Sequence, residues 1–118
     1  MKFEELIKKN RSIRRFDENA PIKKEQLEAW VNLTRFAPSA RNDQPLKYFL
    51  SWEKQTNDKI FSSLAWAGFL KDWPGPAPGE RPTAYILILG DSEICENVRW
   101  DDAIAAHSVL LAATEKGY

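Results

Sequence analysis

The chain has 118 residues, of which 43% are hydrophobic and 29% charged, a composition typical of one folded domain rather than a disordered, collagen-like or coiled-coil chain. Its 17 basic and 17 acidic residues cancel, which argues against a general nucleic-acid binder, and the single Cys95 excludes a disulfide within the chain. No apolar run approaches the roughly 20 residues that a membrane span needs, and no signal-peptide core is present, so we expect a cytoplasmic protein with no membrane partner.

The first 45 residues are predicted to form two helices, each followed by an irregular segment. Apolar residues at helical spacing predict a short helix over Phe3–Lys9, and Arg11–Pro21 has the composition of a loop. A second helix is predicted over Lys23–Phe36, ending before the proline at 38, which disfavours helical geometry in its predecessor. Pro38–Pro45 is then a polar loop. The inward face of the second helix is expected to comprise Leu27, Trp30, Val31 and Thr34.

The middle of the chain is predicted to form a strand, a helix and a long loop. Leu46–Trp52 is rich in β-forming residues and reads as a strand. Glu53–Leu64 is predicted to be helical, and Asp72–Pro82 is dense in proline and glycine, which is typical of a long functional loop. The inward residues of this helix are expected to be Ile60, Phe61 and Leu64.

The remaining elements complete a single α+β domain over residues 1–118, with helices packed around a central sheet. Thr83–Leu89 is an apolar run of β-forming residues and is predicted to be a fully buried central strand. Trp100–Lys116 is predicted to be a long helix, capped by Gly117. Only two strands are visible, so we expect further strand beyond this chain or from a partner. The apolar set of the last helix is expected to include Ile104, Val109, Leu111 and Ala112.

The basic segment Arg11-Ser12-Ile13-Arg14-Arg15 is a candidate phosphate site. In an extended chain alternate residues share one side, so Arg11 and Arg15 are expected to flank a point that Ser12 also reaches. Guanidinium groups bind phosphate through two hydrogen bonds, and a serine hydroxyl adds a third donor. The alternative is a solvated basic stretch with no ligand.

The polar loop Pro38-Ser39-Ala40-Arg41-Asn42-Asp43-Gln44-Pro45 is a second candidate. The amides of Asn42 and Gln44 both donate and accept hydrogen bonds, which suits the edge of a heterocycle or a chain of hydroxyls. The alternative is a turn that merely closes the connection from helix to strand.

No residue pattern indicates a protein nucleophile or acid–base pair. His107 and Ser108 are helical neighbours and point about 100° apart, so they cannot form a hydrolytic pair with Asp102. Cys95 lies among acidic residues, which disfavours a nucleophilic role, and neither a glycine-rich phosphate loop nor metal-ligand spacing is present. Five tryptophans indicate oligomerisation or a flat ligand. A candidate phosphate site, an amide-rich loop and many aromatic residues, without a protein nucleophile or acid–base pair, favour a bound organic cofactor.

Two motifs together resemble the FMN-dependent nitroreductase family. Asn10–Phe16 reads Asn-Arg-Ser-Ile-Arg-Arg-Phe, and after one helix Ala37–Pro45 reads Ala-Pro-Ser-Ala-Arg-Asn-Asp-Gln-Pro. The apolar run at 83–89 and the segment 101–108 resemble the family's central strand and core helix. The resemblance covers the whole chain but roughly the first two-thirds of the family's domain, so we expect the family's next strand and C-terminal arm to be missing here.

The resemblance implies an obligate homodimer with FMN at its interface and hydride transfer from NAD(P)H, through the flavin, to a nitroaromatic, quinone or similar small-molecule acceptor. It implies that Arg11, Ser12 and Arg14 hold the flavin's phosphate, ribityl chain and pyrimidine edge. From the other subunit, it implies contacts from Pro38, Ser39, Ala40 and Asn42, with Gln44 nearby.

Two other functions stay open at this stage. One is a non-catalytic dimeric remnant of the fold that serves as a binding or structural module. The other is a small nucleic-acid binder that uses the basic N-terminal segment, which the zero net charge disfavours. The aromatic residues Trp66, Phe69 and Trp73 are candidates either for an acceptor pocket or for core or dimer packing.

Overall fold

The computed structural model describes residues 1–118 and has the predicted α+β organisation. None of its helices is long and apolar enough to cross a membrane. Short 3-10 turns cover Thr34–Phe36 and Ala40–Asn42. The regular elements are α1 (Phe3–Lys9), α2 (Lys24–Leu33), β1 (Leu46–Ser51), α3 (Lys54–Phe61), β2 (Tyr85–Gly90) and α4 (Asp101–Glu115).

The end of α2 follows from the proline at position 38. The predicted last turn of this helix tightens into the 3-10 turn Thr34–Phe36, and Ala37 is extended, with φ −74° and ψ 150°. A helical Ala37 would clash with the ring of Pro38, so the chain leaves the helix at this point. The predicted helix Lys23–Phe36 is therefore confirmed, except that its final turn is not α-helical.

The core lies between α2 and α4. The buried apolar side chains of this core are Leu27, Trp30 and Ala105, and α2 packs on β1 while α4 packs on β2. The Trp30 ring also meets the Tyr118 ring edge-on, with centroids 5.4 Å apart. The predicted inward face of α2 is confirmed, because Val31 and Thr34 are half-buried beside these residues.

The sheet has only two antiparallel strands, paired from Leu46 opposite Gly90 to Ser51 opposite Tyr85. The prediction of a fully buried strand over Thr83–Leu89 is wrong in its burial. The strand forms, but its residues are at most half-buried, and Leu89 is 52% exposed. The physical reason is that β1 covers only one edge of β2, so the other edge lies open.

Between α3 and β2 the chain runs without regular structure from Ser62 to Ala84, a longer irregular segment than predicted. Leu64 is 42% exposed, so its predicted inward position is wrong. The reason is that α3 ends at Phe61 and the chain turns there, with the N–H of Leu64 donating to the carbonyl of Phe61.

A buried polar network joins β1, α3 and the start of β2. The Ser51 hydroxyl donates to the side-chain oxygen of Asn57 at 2.6 Å, and the Asn57 amide donates to the carbonyl of Thr83 at 2.7 Å. Because Ser51 and Asn57 are both buried, each bond removes an otherwise costly unpaired group.

Helix α4 ends at Glu115, and Gly117, whose φ is +87°, caps it as predicted. The N–H of Gly117 donates to Thr114 and that of Tyr118 to Ala113, the two bonds of a Schellman motif. The predicted inward position of Ile104 is wrong, since its side chain is 37% exposed. The smaller Ala105 faces the core instead and allows α2 to approach closely.

Candidate functional site

The segment from Arg11 to Arg15 leaves α1 as an exposed, non-helical stretch. The guanidinium group of Arg11 points back toward the C-terminal end of α1. Nη1 of Arg11 donates to the carbonyl of Asn10 at 2.8 Å and lies 3.4 Å from that of Ile7. A cation is favourable at this end of a helix, where carbonyl groups lack partners. Arg11 therefore caps α1 with part of its donor set, and its other donors stay free.

Arg15 turns in a different direction from Arg11. Its guanidinium carbon lies 5.9 Å from the centre of the Trp73 ring, and its Nε lies 3.9 Å from a carboxylate oxygen of Glu80. The prediction that Arg11 and Arg15 flank a point beside Ser12 is therefore wrong, because helix capping and aromatic stacking draw the two groups to different neighbours.

Arg14 is the basic residue of this segment whose guanidinium group has neither a hydrogen-bond partner nor an acidic partner within the chain, whereas Arg11 binds carbonyls and Arg15 lies near Glu80. It is exposed, forms no salt bridge, and follows the exposed hydroxyl of Ser12. It also lines a wide cleft with a volume of about 950 Å³, which we call the basic cleft. The basic cleft is lined by Ile13, Arg14, Arg15, Phe69, Leu70, Lys71, Asp72 and Trp73.

Lys71 is the cleft residue that the sequence reasoning missed. The only available signal was its position within the aromatic stretch from Phe69 to Trp73, a pattern that is also typical of packing. Because Lys71 comes from the long irregular segment, only the tertiary structure brings its ammonium group into the same cleft as Arg14. The structure thus joins cations with the flat apolar surfaces of Phe69 and Trp73, whereas Trp66 packs inside the fold.

Main-chain hydrogen bonds hold the basic segment against the irregular one. The N–H of Phe16 donates to the carbonyl of Glu80 at 2.9 Å, and that of Glu18 to Gly79 at 3.4 Å. In return, the Glu18 side chain accepts from the N–H of Arg81 at 3.0 Å. These bonds fix the direction in which the chain leaves the basic segment, two residues after Arg14.

Trp66 is the centre of the aromatic cluster behind the basic cleft. Its ring centre lies 6.0 Å from that of Phe61 and 6.5 Å from those of Phe16 and Trp73. The ring rests on Gly75, where an added Cβ would lie only 2.7 Å from Cδ1 of Trp66. The cluster thus ties the end of the basic segment to α3 and to the wall of the cleft.

Two buried side-chain polar atoms lack a hydrogen-bond partner within the chain, Nε1 of Trp66 and the hydroxyl of Tyr85. Burial raises the pKa of the Tyr85 phenol, and the positive charge of Arg81 partly opposes this shift. Tyr85 is therefore an uncharged hydroxyl at neutral pH.

The polar loop of residues 38–45 is held in place by Asp101, the first residue of α4. The buried carboxylate of Asp101 accepts a short hydrogen bond from the Ser39 hydroxyl and another from the N–H of Ala40 at 3.1 Å. The Ser39 oxygen in turn accepts from the N–H of Gln44 at 3.0 Å. The loop is therefore an ordered structure, and the hydroxyl of Ser39 is committed within the chain.

This anchored loop contains three residues with left-handed backbone geometry. Arg41 and Asn42 both have φ 57°, and Gln44 has φ 50°. Such a conformation costs roughly 1–2 kcal/mol for most non-glycine residues, and less for asparagine. The Gln44 amide donates to the Asn42 side-chain oxygen at 2.7 Å, which leaves the Asn42 NH₂ group free to bind a ligand. The main-chain N–H groups of Ser39 and Arg41 also lack partners within the chain.

A second cleft, of about 390 Å³, lies beside this loop, and we call it the loop cleft. It shares no lining residue with the basic cleft. Within one chain, the predicted residues Arg11, Ser12 and Arg14 are therefore not gathered in one cleft with the 38–45 loop. The loop cleft is lined by Ala40, Arg41, Asp43, Pro45, Cys95, Glu96, Asn97, Val98, Arg99 and Asp101.

The structure gives separate neighbours to the residues that the sequence disfavours as catalytic groups, His107, Ser108 and Cys95. His107 is exposed on α4, and the Ser108 hydroxyl donates to the carbonyl of Ile104 at 3.2 Å. Cys95 donates its S–H to the carbonyl of Asn97 at 3.2 Å. No three histidine, cysteine or acidic side chains form a group that could hold a metal ion.

Comparison with known proteins gives matches of family and of fold. The model of the Nitroreductase family matches residues 7–118, and no curated protein sequence matches the chain. A nitroreductase family protein from Clostridium difficile is 28% identical with a TM-score of 0.70, and the match covers 99% of this chain and 64% of that one. A protein from Clostridium acetobutylicum, assigned as an NADH oxidase, is also 28% identical with a TM-score of 0.70, over 94% and 63% of the two chains.

A third structure, a protein from Desulfovibrio desulfuricans assigned as a nitroreductase, was solved in complex with FMN. It is 22% identical with a TM-score of 0.73, over 96% of this chain and 62% of that one, and it shows likeness of fold. The chain spans less than two thirds of the length of each of these three proteins.

Proposed function

Because the chain belongs to the nitroreductase family, we propose that it serves in an FMN-dependent oxidoreductase that uses NAD(P)H to reduce a nitroaromatic, quinone or related acceptor. The observation that carries this proposal is the basic cleft, which Arg14 and Lys71 line together with the flat side chains of Phe69 and Trp73. A flat, anionic cofactor has the chemistry that these groups would recognise.

The residues of the basic segment fit a phosphorylated flavin. Arg14 is free of acidic partners, and Ser12 is exposed on the same segment, so a phosphate or the pyrimidine edge gains a charge-assisted donor without breaking an existing ion pair. Arg11 fits in part, because its donors beyond the α1 carbonyls stay available. The basic cleft, at about 950 Å³, is large enough for a ligand of this size.

When bound, FMN would supply the redox chemistry, taking a hydride from NAD(P)H and passing electrons to the acceptor. The chain's own part is binding and electrostatics. Arg14 and Lys71 would stabilise negative charge that develops on the bound ring system, because both cations line the cleft that would receive it. Phe69 and Trp73 would cover an aromatic ring and exclude water from one side of it.

We propose that a second copy of the chain completes the site, with Pro38, Ser39, Ala40, Asn42 and Gln44 approaching the flavin bound by its partner. The separation of the basic cleft from the loop cleft supports this arrangement, since one chain does not gather both groups in one pocket. Exposed large apolar side chains on α4 and before it, including Leu110 at 53% and Trp100 at 69%, give such a homodimer surface to bury.

The electron donor and the location follow the same proposal. The similarity to a protein assigned as an NADH oxidase supports a reduced nicotinamide nucleotide as the donor. We propose a cytoplasmic location, a small-molecule acceptor and no nucleic-acid partner, the last because the chain carries no net charge.

The deciding experiment is an absorption spectrum of the purified chain after it has been mixed with FMN and desalted. We expect a retained flavin band with about one FMN per chain, followed by turnover with NADH or NADPH and a quinone or nitroaromatic acceptor. A folded chain that retains no flavin would refute the proposal for this chain and favour the non-catalytic binding module.

A further inference from the structure

We propose that Asp101 is a positioning residue, which holds the 38–45 loop in the one conformation that can contact a flavin. This inference rests on the proposed function, and it concerns a residue that the motif pattern alone does not single out. Asp101 lies 61 residues from Ala40 along the chain, yet its carboxylate meets both Ala40 and Ser39.

The carboxylate of Asp101 is built into the fold rather than exposed to solvent. The residue is 7% exposed and forms no salt bridge, so its charge is balanced by the two loop donors and by the first turn of α4, which it begins. Its neighbour Asp102 is exposed, in the same helical turn and with the same charge. The two aspartates share helix and charge but differ in burial and in contact with the loop.

The hydrogen bonds form a relay from Asp101 to the far end of the loop. Asp101 holds the Ser39 hydroxyl, and that hydroxyl oxygen accepts from the N–H of Gln44. Arg41 and Asn42, both left-handed, lie inside the ring that these bonds close. Since neither is a glycine, the loop needs this support to stay in a conformation that isolated chains seldom adopt.

The anchored conformation leaves a defined set of groups for a ligand. Within the loop the Asn42 side-chain oxygen is engaged by Gln44, whereas the Asn42 NH₂ group and the main-chain N–H of Arg41 have no partner. These donors suit the carbonyl edge of a flavin or its hydroxyl chain. Loss of the Asp101 contact would spread them over many conformations and weaken binding.

The test compares Asp101→Asn with the matched control Asp102→Asn in the full chain. The carboxylate of Asp101 accepts from Ser39 and from Ala40 through two different oxygens, whereas the amide introduced by Asp101→Asn has one acceptor oxygen and no charge. Either the Ser39 hydroxyl or the Ala40 N–H therefore loses its acceptor, and the bond that remains is weaker. FMN affinity is measured by quenching of flavin fluorescence. We expect at least roughly tenfold weaker binding for Asp101→Asn and less than about twofold change for Asp102→Asn.

A second readout needs no flavin: amide hydrogen exchange at Ala40 and Gln44 in the free chain, followed by NMR. We expect faster exchange at both amides in Asp101→Asn and little change in Asp102→Asn, with slow exchange retained at the amide of the buried Trp30 as the check on folding. Ser39→Ala should behave like Asp101→Asn, and the double variant should be no worse than either single one, because both remove the same relay.

The outcomes separate the two proposals. Unchanged exchange at Ala40 and Gln44 in Asp101→Asn would overturn the anchoring role, whatever the flavin affinity. Faster exchange with unaltered FMN affinity would overturn the link between the loop and the flavin. A wild-type chain that binds no FMN would overturn the proposed function and the flavin role of Asp101 together, while the exchange measurement would still decide whether Asp101 holds the loop.

Discussion

Adding one methyl group at Gly75 tests whether the Trp66 cluster supports the fold. Gly75 has φ +110°, and a Cβ there would lie 2.7 Å from Cδ1 and 3.0 Å from Cγ of the Trp66 ring. The backbone conformation alone costs a side-chain-bearing residue roughly 1–3 kcal/mol, and overpacking against the ring adds about 1–3 kcal/mol. We therefore expect Gly75→Ala to lower the free energy of unfolding by about 4 kcal/mol.

Two other glycines separate these contributions. Gly79 has φ +95° but an added Cβ would meet nothing within 4 Å, so Gly79→Ala should show only the backbone cost, about 1–3 kcal/mol. Gly68 has neither restriction, and Gly68→Ala should change stability by less than about 1 kcal/mol. Urea unfolding followed by tryptophan fluorescence gives all three values. If Gly75→Ala is no less stable than Gly79→Ala, the ring does not press on the backbone and the reasoning fails.

Two further predictions concern single charges. Arg14→Ala should weaken FMN binding by about 1.5–3 kcal/mol, the value of a charge-assisted hydrogen bond. The control Arg35→Ala removes an exposed guanidinium group outside both clefts and should leave the affinity unchanged. Equal affinities of the two variants in flavin titrations would remove Arg14 from the site. The hydrogen bond from Lys47 holds the pKa of Asp91 below its ordinary value of 3.8, so this pair stabilises the fold at neutral pH and loses its effect as the pH falls through that lowered pKa. Asp91→Asn should therefore flatten the acid limb of a plot of stability against pH, and an unaltered limb would contradict the assignment.

Local patterns in the sequence predicted the helices and strands because each depends on nearby residues. Pro38 stops α2, Gly117 caps α4, and the apolar spacing of Leu27 and Trp30 marks the face of α2 that enters the core. The family resemblance, which rested on two motifs, is confirmed by the family match. The burial of β2 could not be predicted, because an apolar run has the same composition whether neighbouring strands are present or absent.

The sequence motifs identified candidate residues for the site, but they did not predict the contacts between distant segments that position those residues. Arg14 and Asn42 carry chemistry that short motifs reveal, and their roles toward a flavin stay predictions. The contacts of Asp101 with Ser39, and the place of Lys71 in the basic cleft, arise from segments far apart in sequence. No periodicity or spacing encodes such contacts, because they depend on how the elements pack.

Both halves of the candidate site depend on α4, and this dependence sets the order of assembly. The Thr114 hydroxyl reaches the Asn10 side chain, 104 residues away, and Asp101 reaches Ser39, 62 residues away. Closing such long stretches of chain costs entropy and slows the formation of these contacts. The N-terminal segments are also synthesised first. The basic segment and the 38–45 loop are therefore synthesised before α4, and they make these contacts only after α4 has been added.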